Sequence, residues 1–221
     1  MSVFEKWRWI HRNWPYIIEE ATALGLVFVG GTALNLILFD EYRASEDIGL
    51  YDPHAESVGT GHEEECMQKL AKRLEEKGFG ISSKDERALW VGPNIKVEVF
   101  NDGTPFRKIK KRTAAQVDAL TFDISTYAEM KMAALLCRSI YDPRDLVDLF
   151  ILKKHGKAKL VFPKMECRTI EDGFPARLKD IRGTKREDLL HFQTGRQIDA
   201  LPYEDFDEFK RWLHEWLSGF R

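Results

Sequence analysis

The sequence predicts an α+β protein, with a mixed sheet flanked by helices over residues 1–120 and a mainly helical part over residues 121–221. Three observations point there. A strand, a glycine turn and a helix follow one another between residues 26 and 39, strand patterns cluster between residues 80 and 100, and helix-opening signals dominate the second half.

Aromatic and aliphatic residues recur at helical spacing over residues 5–24 (Trp7, Ile10, Trp14, Ile17, Ile18, Ala21), and Pro15 predicts a break in that helix. Gly25 ends it in a left-handed cap, so residues 26–29 read as a short buried strand leading into Gly30 and Gly31. The apolar stretch 32–39 reads as a buried helix, and Asp47–Tyr51 as a second strand closed by Pro53. Residues 59–61 are a loop before a helix over 62–77, which has acids in its first turn, a Glu65/Lys69 pair and Gly78 as terminator. Short strands over 80–83, 88–91 and 95–100 are separated by the turn stretches KDER and GPN. In the second half, Thr126 and Glu129 form a capping box opening a helix to about Ser139, and Asp142 followed by Pro143 opens another that Gly156 ends. Residues 162–184 are rich in turn formers, and residues 203–220 form an amphipathic helix (Phe206, Phe209, Trp212, Leu213, Trp216).

With 43% hydrophobic residues the chain of 221 fills an ordinary core. Apolar runs such as residues 33–39 are far shorter than the roughly 20 residues a bilayer span needs, and the opening MSVFEKWRWIHR lacks a signal peptide's apolar core. A soluble cytoplasmic protein with no membrane partner is expected. The net charge of −2 excludes a wholesale polyanion-binding surface, while the run FRKIKKR at 106–112 is a solvated loop or a guide for an RNA acceptor. Cys66, Cys137 and Cys167 are widely separated and odd in number, so they read as buried thiols rather than a disulfide framework or a CxxC zinc site. The histidines lack metal-ligand spacing, and His62 beside Glu63, Glu64 and Glu65 reads as a helix start.

The chemistry concentrates in residues 27–52, VFVGGTALNLILFDEYRASEDIGLYD. A glycine turn and a helix N-terminus beside an acid-bearing strand can hold a phosphate near a metal. Gly30 and Gly31 let backbone approach a ligand, and Thr32 adds a hydroxyl. Phosphoryl transfer needs divalent cations held by clustered carboxylates, for which Asp47 and Glu98 are the candidates for Mg²⁺ or Mn²⁺. Residues two apart on a strand face the same way, so an acid at position 49 would join Asp47; Gly49 supplies none. Asp47 is expected at the start of a buried strand, where an unpaired carboxylate is costly.

GGTAL at 30–34, with Arg43, Ser45, Asp47 and Ile48, resembles the first motif of the AbiEii-type nucleotidyltransferase toxins of bacterial abortive-infection systems, which end this motif D-I-D where this chain has D-I-G. Lys131, Ala134, Leu135 and Arg138 look like the family's lysine helix, and Arg144, Asp145, Asp148 and Leu149 like its R-D-x-x-D-L motif. The resemblance implies a nucleotidyltransferase-like sheet whose helical C-terminal part completes the site. By it, Gly30, Gly31, Thr32 and Ser45, with Lys131 and Arg138, would bind the nucleotide, and Asp47 with Glu98 the metal. Lys131 would contact phosphate, and Asp145 or Asp148 would orient or deprotonate the acceptor hydroxyl, or else brace the helices through Arg138 and Arg144. The implied activity is transfer of a nucleoside monophosphate from NTP to a tRNA or protein acceptor, with a separately encoded antitoxin as partner. Gly49 implies a weak or inactive enzyme. The same residues also suit a non-catalytic module holding nucleotide, RNA or protein, and an aminoglycoside-type transferase shares the fold.

Overall fold

Ser2 and Glu5 open the chain with a reciprocal cap: Ser2 Oγ accepts the Glu5 N–H at 3.3 Å and Glu5 Oε2 accepts the Ser2 N–H at 2.7 Å. The helix they start, α1 (Val3–Ala23), runs unbroken through Pro15, contrary to the expected interruption. An interior proline costs about 3 kcal/mol, but each large apolar side chain buried beside it returns about 1.5–3 kcal/mol. Trp7, Ile10, Trp14, Ile17, Ile18 and Ala21 line that buried face, and Trp14 stacks on Phe28 at 6.1 Å.

The computed structural model describes residues 1–39, 41–54, 61–101, 108–162, 168–185, 187–190 and 203–220. It divides into two units, Met1–Asp123 and Ile124–Arg221. In the first, β1 (Val27–Val29) enters α2 (Gly30–Ala33), a continuing π-helical turn (Leu34–Leu38) and then β2 (Asp47–Tyr51). The helix therefore starts at Gly30, two residues before the expected start, and Leu36, Ile37 and Leu38 are only part-buried. Helix α3 (His62–Glu76) ends at Gly78, whose φ of 86° is the left-handed cap that glycine adopts without strain. Residues 59 and 60 of the expected preceding loop lie outside the described residues.

The strands β3 (Ile81–Lys84), β4 (Ala88–Val91) and β5 (Ile95–Phe100) join β1 and β2 in a mixed sheet of order β1-β2-β5-β4-β3. Only the β2/β5 pairing is parallel. The predicted KDER turn is held by Asp85, whose carboxylate accepts the Arg87 and Ala88 N–H groups at 2.9 and 2.7 Å.

A second sheet, β6 (Ile109–Ala114) with β7 (Val117–Phe122), occupies most of the basic run. Residues 109–112 are thus an exposed strand rather than a loop; Phe106 and Arg107 lie outside the described residues. Two residues, Ala115 (φ 47°) and Gln116 (φ 64°), close the hairpin, both left-handed. That geometry belongs to a type I′ turn, which asparagine and glycine favour, so Ala-Gln carries no turn signal in the sequence.

In the second unit, α4 (Ile124–Cys137) starts two residues before Thr126, which is buried inside the helix rather than capping it. Helix α5 (Pro143–Lys154) has the predicted Asp142 cap and first-turn proline. Where a turn-rich stretch is expected, α6 (Arg168–Gly183) forms instead with Pro175 inside it, because Phe174, Leu178 and Ile181 supply a buried face. A short α7 (Glu187–Leu190) and the amphipathic α8 (Tyr203–Ser218) complete the unit, and Phe206 and Phe209 pack on Phe150 at 5.5 and 5.6 Å. Cys66 is buried and Cys137 part-buried, while Cys167 lies outside the described residues. Among the described residues no helix is long and apolar enough to cross a membrane.

An L-residue in the left-handed region costs about 1–2 kcal/mol. Ala115→Asn with Gln116→Gly is therefore expected to stabilise the protein by about 1 kcal/mol and raise its Tm by about 2–4 °C, measured by thermal unfolding; an unchanged Tm would show that the turn carries no strain.

Candidate active site

The glycine turn is fixed to the start of β2 by side chains of its own motif. Gly30 needs to be glycine for its backbone, with φ 79° and open space where a Cβ would stand. Gly31 needs it for a different reason: a Cβ there would lie 1.8 Å from Arg43 Nη2, because the buried Arg43 guanidinium covers it. Arg43 is held in turn, its N–H donating to Asn35 Oδ1 at 3.0 Å and its Nη1 to the Ala44 carbonyl at 3.0 Å. Asn35 Nδ2 donates back to the Gly31 carbonyl at 2.7 Å.

Thr32 and Ser45 complete the brace. Thr32 Oγ1 lies 2.5 Å from the Asp47 carbonyl and 2.6 Å from Ser45 Oγ. A carbonyl only accepts and a hydroxyl has one proton, so Thr32 donates to Asp47 and accepts from Ser45. Both hydroxyls are buried and used within the protein.

Side chains alternate along β2 and β5, and the rings of Tyr51 and Phe100, 5.9 Å apart, mark one shared face. Asp47, Gly49, Lys96 and Glu98 belong to that face. Asp47 is exposed there, not buried as expected, and Glu98 is part-exposed on a strand interior to the sheet. Glu98 faces Gly49 in register and Lys96 faces Asp47, and Lys96 Nζ pairs with Glu98 Oε2 at 2.9 Å. The two acids thus stand one register step apart with an ammonium beside them. A Cβ at Gly49 would meet Val29 O at 3.5 Å and Val29 Cγ2 at 3.6 Å, ordinary contact distances, so nothing steric requires glycine there. Asp47 and Glu98 suit a hard divalent cation, which can be held by one or two carboxylates with waters and substrate phosphates filling its shell.

The residues of the two later motifs meet within the second unit. Lys131 is buried, and its Nζ lies 2.8 Å from Asp145 Oδ1 and 2.6 Å from Asp148 Oδ2, both carboxylates being almost wholly excluded from solvent. Arg138 Nη1 stands 3.0 Å from Asp145 Oδ2, a pairing of charge without a well-aligned hydrogen bond. Arg144 directs Nε and Nη2 at Asp142, at 2.9 and 2.7 Å. Burial acts to raise the Asp142 carboxyl, but the Arg144 bonds and charge, with Arg138, hold it below the usual carboxylate range.

A third cluster was not foreseen. Asp52, fully buried after β2, bonds His62 Nδ1 through Oδ2, and Cys66 Sγ lies 3.6 Å from the same nitrogen. The one sequence signal was His62 and Cys66 four apart on a helix, which places them on one face. Burial, aided by the Asp52 charge, pushes the Cys66 thiol up to about 11.

Two outcomes test these arrangements. In a double-mutant cycle, Gly31→Ala is expected to cost more than about 2 kcal/mol in the native chain and less than about 1 kcal/mol beside Arg43→Ala; additive losses in denaturant unfolding would refute the packing argument. Lys131→Met, which removes the ammonium shared by two buried carboxylates, is expected to lower stability by about 3–5 kcal/mol, and a loss under about 1 kcal/mol on the same unfolding curves would mean that the pairing is weak.

A proposed nucleotidyltransferase from H. pylori has the same fold, with a TM-score of 0.52 at 15% identity over 98% of this chain and 98% of that one. An antigenic nucleotidyltransferase-like protein from Paracoccidioides brasiliensis is similar at 14% identity over 79% of this chain and 87% of that one, with a TM-score of 0.49. No curated protein matches the chain. The profile of the family described as nucleotidyl transferase AbiEii toxin, type IV TA system, matches residues 17–214, and with nine-tenths of its length so covered the chain belongs to that family.

Proposed function

We propose that this protein is a metal-dependent nucleotidyltransferase toxin, impaired by Gly49, that transfers a nucleoside monophosphate from NTP to a tRNA or protein acceptor in the cytoplasm of a bacterium and is neutralised by an antitoxin. The observation that supports this most is the placing of Asp47 and Glu98 on one open sheet face, beside a glycine turn braced by its own motif. Asp47 and Glu98 would hold Mg²⁺ or Mn²⁺, and the cation when bound would neutralise charge developing on the phosphates. Gly30 and Gly31 would offer backbone N–H groups to the triphosphate. Thr32 and Ser45 would act by holding that turn rather than by reaching the nucleotide, since their hydroxyls already bond each other and the Asp47 carbonyl. Lys131, Asp145 and Asp148, with Arg138, would serve as the rigid charged brace of the helical unit.

Gly49 favours a second reading, a non-catalytic module that keeps the nucleotide-binding turn without turnover. Both are tested by one substitution. Gly49→Asp adds a carboxylate to the Asp47 face at ordinary contact distance from Val29, so the variant is expected to fold. Transfer of labelled nucleotide to total RNA or protein with Mg²⁺ is expected to rise by about 100-fold over the native chain, with arrest of host growth on induction. A folded variant that labels nothing and leaves growth unchanged would sink the transferase reading, and nucleotide binding by both proteins would then favour the module.

A further inference from the structure

We propose that Asp52, His62 and Cys66 form a binding site for a divalent transition cation of the zinc class, which clasps the start of α3 to the end of β2. The three donor atoms, a carboxylate oxygen, an imidazole nitrogen and a thiol sulfur, all lie within 4.8 Å of one another. A tetrahedral zinc ion, with bonds of about 2.3 Å to sulfur and about 2.0 Å to nitrogen, sets such donors about 3.5 Å apart. The Cys66 Sγ to His62 Nδ1 separation of 3.6 Å already meets that spacing.

The carboxylate is prepared on the strand side. Asp52 N–H donates to the Phe100 carbonyl at 2.9 Å, Asn101 Nδ2 donates to the Asp52 carbonyl at 2.7 Å, and Oδ1 accepts the His54 N–H at 2.9 Å. That leaves Oδ2 aimed at the His62 ring. His62 and Cys66 are four apart on α3 and share a face. The His62 side chain is 37% exposed, which gives a cation an entry path and a water its fourth position. On binding, the Cys66 thiol proton leaves to solvent. His62 gives up the Nδ1 proton that bonds Asp52 Oδ2 and binds as the imidazole with its N–H on Nε2, which frees the Nδ1 lone pair.

Ligand chemistry separates this site from the Asp47 face. Thiolate and imidazole select zinc-class cations, whereas a carboxylate pair suits Mg²⁺. Asp52 also falls out of phase with Asp47 and Gly49 along the chain, so the proposal stands whether or not the protein transfers nucleotides.

Titrating the full metal-free chain with Co²⁺ tests it. A thiolate-to-cobalt absorption band is expected to saturate at one equivalent, to be abolished by Zn²⁺ and to be unaffected by Mg²⁺, and Zn²⁺ is expected to raise the Tm. Cys66→Ser should lose the band with its circular dichroism unchanged, and His62→Gln, at a part-exposed position, should weaken binding by about 10-fold or more. Asp47→Asn and Cys137→Ser should bind as the native chain does. A folded native chain showing neither a band nor a zinc-induced rise in Tm overturns the proposal, as does a band that survives Cys66→Ser.

Discussion

Arg43 is a buried cation whose guanidinium covers a residue with no side chain, and the glycine turn is organised around that contact. Burying a charge is costly unless its donors are satisfied. Here the backbone of Arg43 is tied to Asn35, its guanidinium to the Ala44 carbonyl, and Asn35 to Gly31. These bonds tie the glycine turn to the residues just before β2, and the Thr32 hydroxyl bonds the Asp47 carbonyl. A stretch that looks like a set of ligands is, in its ground state, a set of struts. The brace also sets the position of Asp47, whose backbone cannot shift without breaking it.

The protein treats its carboxylates in two opposite ways. Asp47 and Glu98 stay in contact with solvent on one sheet face. Asp145 and Asp148 are sealed from water and share the Lys131 ammonium at 2.8 and 2.6 Å. Such buried pairs add little net stability over apolar packing, but they penalise any arrangement that separates the partners. The helices α4 and α5 therefore have one favoured register, set by where Lys131 can satisfy both acids. Gly49 belongs to neither group, since it is tolerated by the sheet and required by no steric contact.

Legibility followed the range of the forces involved. Strand β2, the strands β4 and β5, the Asp142 cap and α8 were readable because alternation, capping chemistry and amphipathic spacing are properties of a few adjacent residues. Helices α1 and α6 run through Pro15 and Pro175 because distant surfaces bury the faces beside them, which no local pattern records. The β6–β7 hairpin was hidden for the reverse reason: its turn residues, Ala115 and Gln116, are forced into left-handed geometry by the strands they join. His62 and Cys66 carried a local signal, but their partner Asp52 comes from a strand end and not from the helix.

The sequence by itself determined the α+β class and the family, since each is a matter of residue identity and short spacing. Tertiary structure alone decided what those residues do for one another. Arg43 covers Gly31, Thr32 holds Asp47, and Lys131 joins Asp145 to Asp148, because hydrogen bonds and ion pairs act over about 3 Å of space regardless of distance along the chain.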